Sequence, residues 1–126
     1  MAEDGGFVFL VEQSIQLDCK GGQHNSPCVD EYRYFKIAKS HGDVKDRNQK
    51  IDNLKKGNPY ILAMNNDCCV RVEKDLKTTK KEIKKKVRDL GGVQQAPHLK
   101  RGWFCYGPGT SPMSAIVQIF CSYHNQ

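Results

Sequence analysis

No C-x-x-C pair occurs anywhere in this chain, nor does an H-E-x-x-H, a G-x-S-x-G or a glycine-rich phosphate loop. The first absence removes paired zinc knuckles and thioredoxin-type redox chemistry. The others remove zinc-peptidase, α/β-hydrolase and P-loop chemistry. No apolar run is long enough to span a membrane, and the start, Met-Ala-Glu-Asp-Gly-Gly, has neither a basic n-region nor a hydrophobic stretch. Such a start fits either a cytosolic chain or a mature secreted form. Internal repeats, linkers and low-complexity tracts are also missing, apart from one cluster of lysines.

The 126 residues, 38% hydrophobic and 27% charged, predict one ordered domain over 1–126 with a modest core. A net charge of +6 favours an acidic partner, such as nucleic acid, phospholipid head groups or an anionic protein. The charge is concentrated. Residues 74–101 hold ten Lys and Arg against three acids, a local +7 that exceeds the net charge of the whole chain.

Within that region Thr79–Gly92 predicts a helix. Thr79 and Glu82 have capping-box spacing, Ile83, Val87 and Leu90 form one apolar stripe, and Gly91 suits a left-handed C-terminal residue. The other positions, Lys80, Lys81, Lys84, Lys85, Lys86 and Arg88, make the rest of the rod cationic. Asp43, with Asp46 three residues on and Ile51 and Leu54 as its stripe, opens a second, polar outer helix that Gly57-Asn58-Pro59 ends. Ser26-Pro27 can begin a helix, and the following residues to Lys39 lean helical, although Tyr34, Phe35 and Ile37 also fit a strand's alternation.

Strands are expected at Phe7–Glu12, Ile15–Cys19 and Trp103–Tyr106, and over Ser114–Tyr123, whose apolar character on both faces suggests a central position. Tyr60–Asn65 and Cys68–Glu73 read as a hairpin turned at Asn65-Asn66-Asp67. The fold class is therefore α+β, a small antiparallel or mixed sheet with the basic amphipathic helix packed on one face. The even count of six cysteines, Cys19, Cys28, Cys68, Cys69, Cys105 and Cys121, suggests disulfide stabilisation in an oxidising compartment. Adjacent strand residues point to opposite faces, so Cys68 and Cys69 should not pair. The expected bridges are Cys28 to Cys69 and two among the other four, each worth about 2–4 kcal/mol.

Two stretches stand out as binding sites. The lysine helix fits a phosphate-binding surface, against the plainer reading of a solvated face that keeps the protein soluble. His98, Lys100 and Arg101 directly precede Trp103, the basic-aromatic pairing of single-stranded nucleic acid sites, although Trp103 beside Cys105 on one strand face also fits a core position. For acid-base chemistry the sequence offers only His98 with Arg101, or His124 with Glu73, and no motif surrounds either pair. An enzyme is therefore not the expectation, and no cofactor or metal is implied.

Trp103-Phe104-Cys105 has the [YFW]-x-C form, and with the chain's size, charge and cysteine parity it resembles the small secreted cysteine-containing effector proteins of plant-pathogenic fungi. That resemblance implies a ribonuclease-like plan without catalytic residues, in which a helix packs on an antiparallel sheet closed by a disulfide between terminal regions. It also implies a secreted monomer, lacking its signal peptide, that binds a host protein or other anionic macromolecule through its basic face. An RNA-binding or RNase-like protein, and an intracellular or viral binding protein with reduced cysteines, are the alternatives.

Overall fold

The computed structural model describes residues 5–13, 33–57, 61–96, 102–107, 109 and 111–124. The strand expected at Ile15–Cys19, the Ser26-Pro27 helix start, Cys19, Cys28, His98, Lys100 and Arg101 lie outside them. In chain order the elements are β1 (Gly6–Gln13), β2 (Arg33–His41), α1 (Val44–Gly57), β3 (Ile61–Val72), α2 (Leu76–Arg88), β4 (Gln94–Gln95), β5 (Trp103–Tyr106) and α3 (Met113–Cys121). The five strands form one sheet of order β3-β1-β2-β5-β4, and every neighbouring pair is antiparallel. This is the α+β class the sequence implies.

Strand parity divides the core in two. Val8, Leu10, Phe35, Ile37, Cys68, Val70 and Phe104 face α2 and α3 and pack on Leu76, Ile83, Val87, Ile116 and Phe120. On the opposite face Phe7, Phe9, Val11, Tyr34, Trp103 and Cys105 cluster, with Ile51 and Leu54 of α1 laid against them. The interior strand β1 is apolar on both faces because both are covered.

Four local expectations are corrected. The lean toward helix before Lys39 fails, since Arg33–His41 is a strand between β1 and β5. Its aromatic and β-branched residues alternate between two buried faces, and burial outweighs helical propensity. Ser114–Tyr123 is not a strand. It forms α3 and the turn after it, where Ile116, Phe120 and then Tyr123 recur at helical spacing on the buried side.

The hairpin expected at Asn65-Asn66-Asp67 is instead a wide bulge within one continuous strand. Leu10 of β1, between the pairs Phe9–Cys69 and Val11–Met64, stands opposite four residues of β3. Asn65 holds the bulge through two bonds: its Nδ2 donates to Glu12 Oε2 at 3.0 Å, and its Oδ1 accepts from the Asp67 amide at 2.9 Å.

The basic helix begins three residues before the expected capping box. Asp75 precedes it in the left-handed conformation with no side-chain cap, and the Thr79 amide already donates to the Asp75 carbonyl at 2.9 Å. Leu76, only 1% exposed, explains the shift. Burying a leucine side chain gives about 1.5–3 kcal/mol, whereas a cap gives about 1. At the other end Gly92, not Gly91, takes the positive φ. α1 starts as its sequence implies, with Asp46 N donating to Asp43 Oδ1 at 3.1 Å and Asp43 N to Asp46 Oδ2 at 3.0 Å. The Asp46 amide bonded to its carboxylate, with the Asp46 side chain behind it, holds the Asp43 carboxyl below its ordinary range.

Candidate functional site

Leu76, Ile83 and Val87 fix the rotation of α2 by pointing into the core, and the 3.6-residue repeat then sorts its charged residues into two flanks. Lys77, Lys80, Lys81, Lys84 and Arg88 fall on one side. Thr78, Glu82, Lys86 and Asp89 fall on the other, and Lys85 rides the crest.

The second flank is largely neutralised. Lys85 Nζ pairs with Asp89 Oδ2 at 3.0 Å. Lys86 Nζ sits 4.7 Å from the centre of the Tyr123 ring, and Tyr123 OH donates to Glu82 Oε1 at 3.2 Å. Contact with the Tyr123 hydroxyl, supported by the Glu82 carboxylate, raises the Lys86 pKa. Between this flank, the end of β3 and α3 lies a cavity of about 320 Å³ whose lining mixes Arg71, Lys74, Glu73, Asp75 and Glu82. Arg71 Nε and Glu73 Oε2 pair at its edge, 3.3 Å apart.

The first flank gathers like charges instead. In β2 the alternation that turns Phe35 and Ile37 toward α2 also turns Lys39 there, half-buried. Lys39 and His41 line a cleft of about 300 Å³ with Leu76, Lys77, Thr78 and Asp75. One turn along α2, burial pushes the Lys80 ammonium down to about 8, and Lys84, Lys39, Lys36 and Lys50 add to the shift. Lysines of α2 and β2 thus lie close enough to repel one another.

That repulsion has a measurable sign. Lys80 is charged below pH 8 in the folded state and below about 10.5 when unfolded, so the cost of its burial is fully present under pH 8 and is relieved between the two values. Lys80→Met should therefore raise the melting temperature at pH 7 and lose that advantage by about pH 10. A gain independent of pH would mean that the methionine stabilises by packing alone.

The sequence-predicted site residues are thus distributed unevenly. Lys80, Lys81, Lys84 and Arg88 share the crowded flank, whereas Lys85 and Lys86 are occupied by Asp89, Tyr123 and Glu82. Trp103, 5% exposed, is packed in the core beside Cys105 on the face opposite α2, so it offers no stacking surface. Lys36, Lys39, His41, Lys50 and Lys77 were not among the predicted site residues. The alternation Phe35, Ile37, Lys39 would have revealed Lys39 had β2 been read as a strand.

The cysteines depart from the expected bridging. Cys68, Cys69 and Cys121 are free thiols and no disulfide joins the described cysteines, while Cys19 and Cys28 lie outside the described residues. Cys68 and Cys105 face opposite sides of the sheet. Burial, with the Asp67 and Glu12 charges behind it, pushes the Cys68 thiol up to about 12, which leaves it unreactive. Burial also raises Cys69, although Arg47 Nη1 donates to its Sγ at 3.6 Å and opposes the shift. Among the described residues no group of three or more His, Cys, Asp or Glu could hold a metal ion. No helix among the described residues is long and apolar enough to cross a membrane.

Compared with known proteins, the chain matches no family model, no curated protein and no solved structure.

Proposed function

We propose that this protein acts by binding an anionic macromolecule through the first flank of α2 and the adjoining Lys39. The observation that carries the reading is the sidedness of the helix. A solvated face that only maintained solubility would gain nothing by separating its acids from its bases, and crowding lysines that have no ion pair among the described residues raises the energy of the empty protein. A polyanion relieves that repulsion on docking.

Retention on immobilised heparin tests this. The wild type should be held at low salt, and reversal of Lys77, Lys81, Lys84 and Arg88 to Glu should move elution to much lower salt. Unchanged elution would sink the reading.

The free thiols at Cys68, Cys69 and Cys121 favour the reduced, intracellular version of this binding protein over a secreted, disulfide-stabilised effector. Intact mass after alkylation of the denatured, unreduced protein should show six modified cysteines. A smaller number would restore the disulfide-stabilised form.

A further inference from the structure

The flank is a row as well as a patch. Successive members Lys77, Lys80 or Lys81, Lys84 and Arg88 are three or four residues apart, which at the helical rise is about 5–6 Å per step and about 16 Å in all. That interval is comparable with the spacing of phosphates along an extended nucleic-acid strand. At its start the row meets the cleft lined by Lys39, His41, Lys77 and Thr78, with Asp75 the one acid in its lining, whose volume of about 300 Å³ admits a phosphate group.

The chemistry of the row favours phosphate over carboxylate. Lys77, Lys80, Lys81, Lys84 and Lys39 are compact ammonium charges that suit phosphate oxygens from any direction. Arg88 is the one guanidinium on the flank, so the fork geometry that selects carboxylates is almost missing.

Resting on the function proposed above, we infer that the anionic partner is a nucleic-acid strand, held by its phosphates along Lys77, Lys81, Lys84 and Arg88 with one phosphate in the Lys39–His41 cleft. Recognition is independent of base sequence. Of the large aromatics near this side of the sheet, Phe35 and Phe104 are buried against each other with ring centroids 5.6 Å apart, and half-buried Tyr106 leans on Phe35 at 6.2 Å, while Trp103 is buried on the far face. Phe35, Phe104 and Trp103 are closed to base stacking. The self-repulsion at Lys80 has the same consequence as in other phosphate sites, since an incoming phosphate relieves it.

The test is fluorescence anisotropy of the full chain with a labelled mixed-sequence single-stranded oligonucleotide between 50 and 200 mM salt, with polyglutamate of equal charge as competitor. About five phosphate contacts predict a slope of log affinity against log salt near −3.5. Affinity should vary little between purine-rich and pyrimidine-rich strands. The pair Lys77→Glu with Lys84→Glu, and separately the exposed pair Lys81→Glu with Arg88→Glu, should each weaken binding at least tenfold. Lys85→Glu with Lys86→Glu should change it less than twofold. Equal losses from both flanks, a slope near zero, or displacement by polyglutamate at matched charge overturns the nucleic-acid assignment. If heparin retention persists in that event, the broader anion-binding reading stands, with an acidic protein as the partner. If neither oligonucleotide nor heparin binds at low salt, both fail.

Discussion

Phe120→Ala should cost about 3–5 kcal/mol of folding stability, a large share of the 5–15 kcal/mol margin of a domain. Phe120 is fully buried on α3, in the cluster that joins α2 to the sheet through Ile83, Val87, Cys68 and Val70. Truncation removes the ring and leaves a cavity between two helices and β3 that neighbouring side chains cannot fill without moving a helix. Gln118→Ala is the control. As a strand, residues 114–123 would point Gln118 and Phe120 to the same face, whereas the helix turns Gln118 to solvent. Its replacement should shift stability by no more than about 0.5 kcal/mol. Urea midpoints at constant m-value decide the matter, and comparable losses from both variants would remove α3 from its place on the sheet.

Gly6→Ala should be nearly as damaging, about 3 kcal/mol, although it adds only one methyl group. A Cβ at Gly6 would collide with the Ser40 carbonyl oxygen, approach His41 Cα to 2.9 Å and meet Leu76 Cδ2 at 3.0 Å. The leucine can turn aside. The backbone of β2 cannot, because Phe7 pairs with Ser40 and Gly6 with His41 at the end of the ladder. The strands must part there, and the disturbance reaches the turn that launches α1. Gly57→Ala meets nothing within 4 Å and should be neutral or slightly stabilising. Thermal melting compares the two; a Gly6→Ala protein that melts with the wild type would show that β1 and β2 are less closely apposed at this end.

The parts of the fold that were legible in the sequence carry their own local signal. α1 has reciprocal Asp43 and Asp46 bonds at its start, and β1 is a short apolar run that needs two covered faces. The illegible parts are those where tertiary burial decides. Met113–Cys121 is rich in residues that suit a strand, and only the recurrence of Ile116, Phe120 and Tyr123 distinguishes a helix against a sheet from a strand within it. Asn65-Asn66-Asp67 has the composition of a hairpin turn, and a bulge of this width has no composition of its own. At the candidate site the lysines of α2 were legible as charge but not as geometry. Their division into an occupied and an unoccupied flank depends on Tyr123 and Lys39, which come from elements the sequence alone assigned to the wrong class.

The bulge in β3 has a consequence for how the protein behaves at high concentration. Among the described residues β1 is the only strand neighbour of β3, which makes β3 an edge of the described sheet, and twelve residues of regular edge would offer a template for a second chain to add itself by backbone pairing. Asn65–Cys68 crowd opposite Leu10 and interrupt the repeat, while Arg71 and Glu73 place charge near the end of the regular portion. At the far edge β4 is only two residues long. Among the described residues neither border of the sheet presents a long uninterrupted row of amides and carbonyls, which works against copies of the chain continuing the sheet.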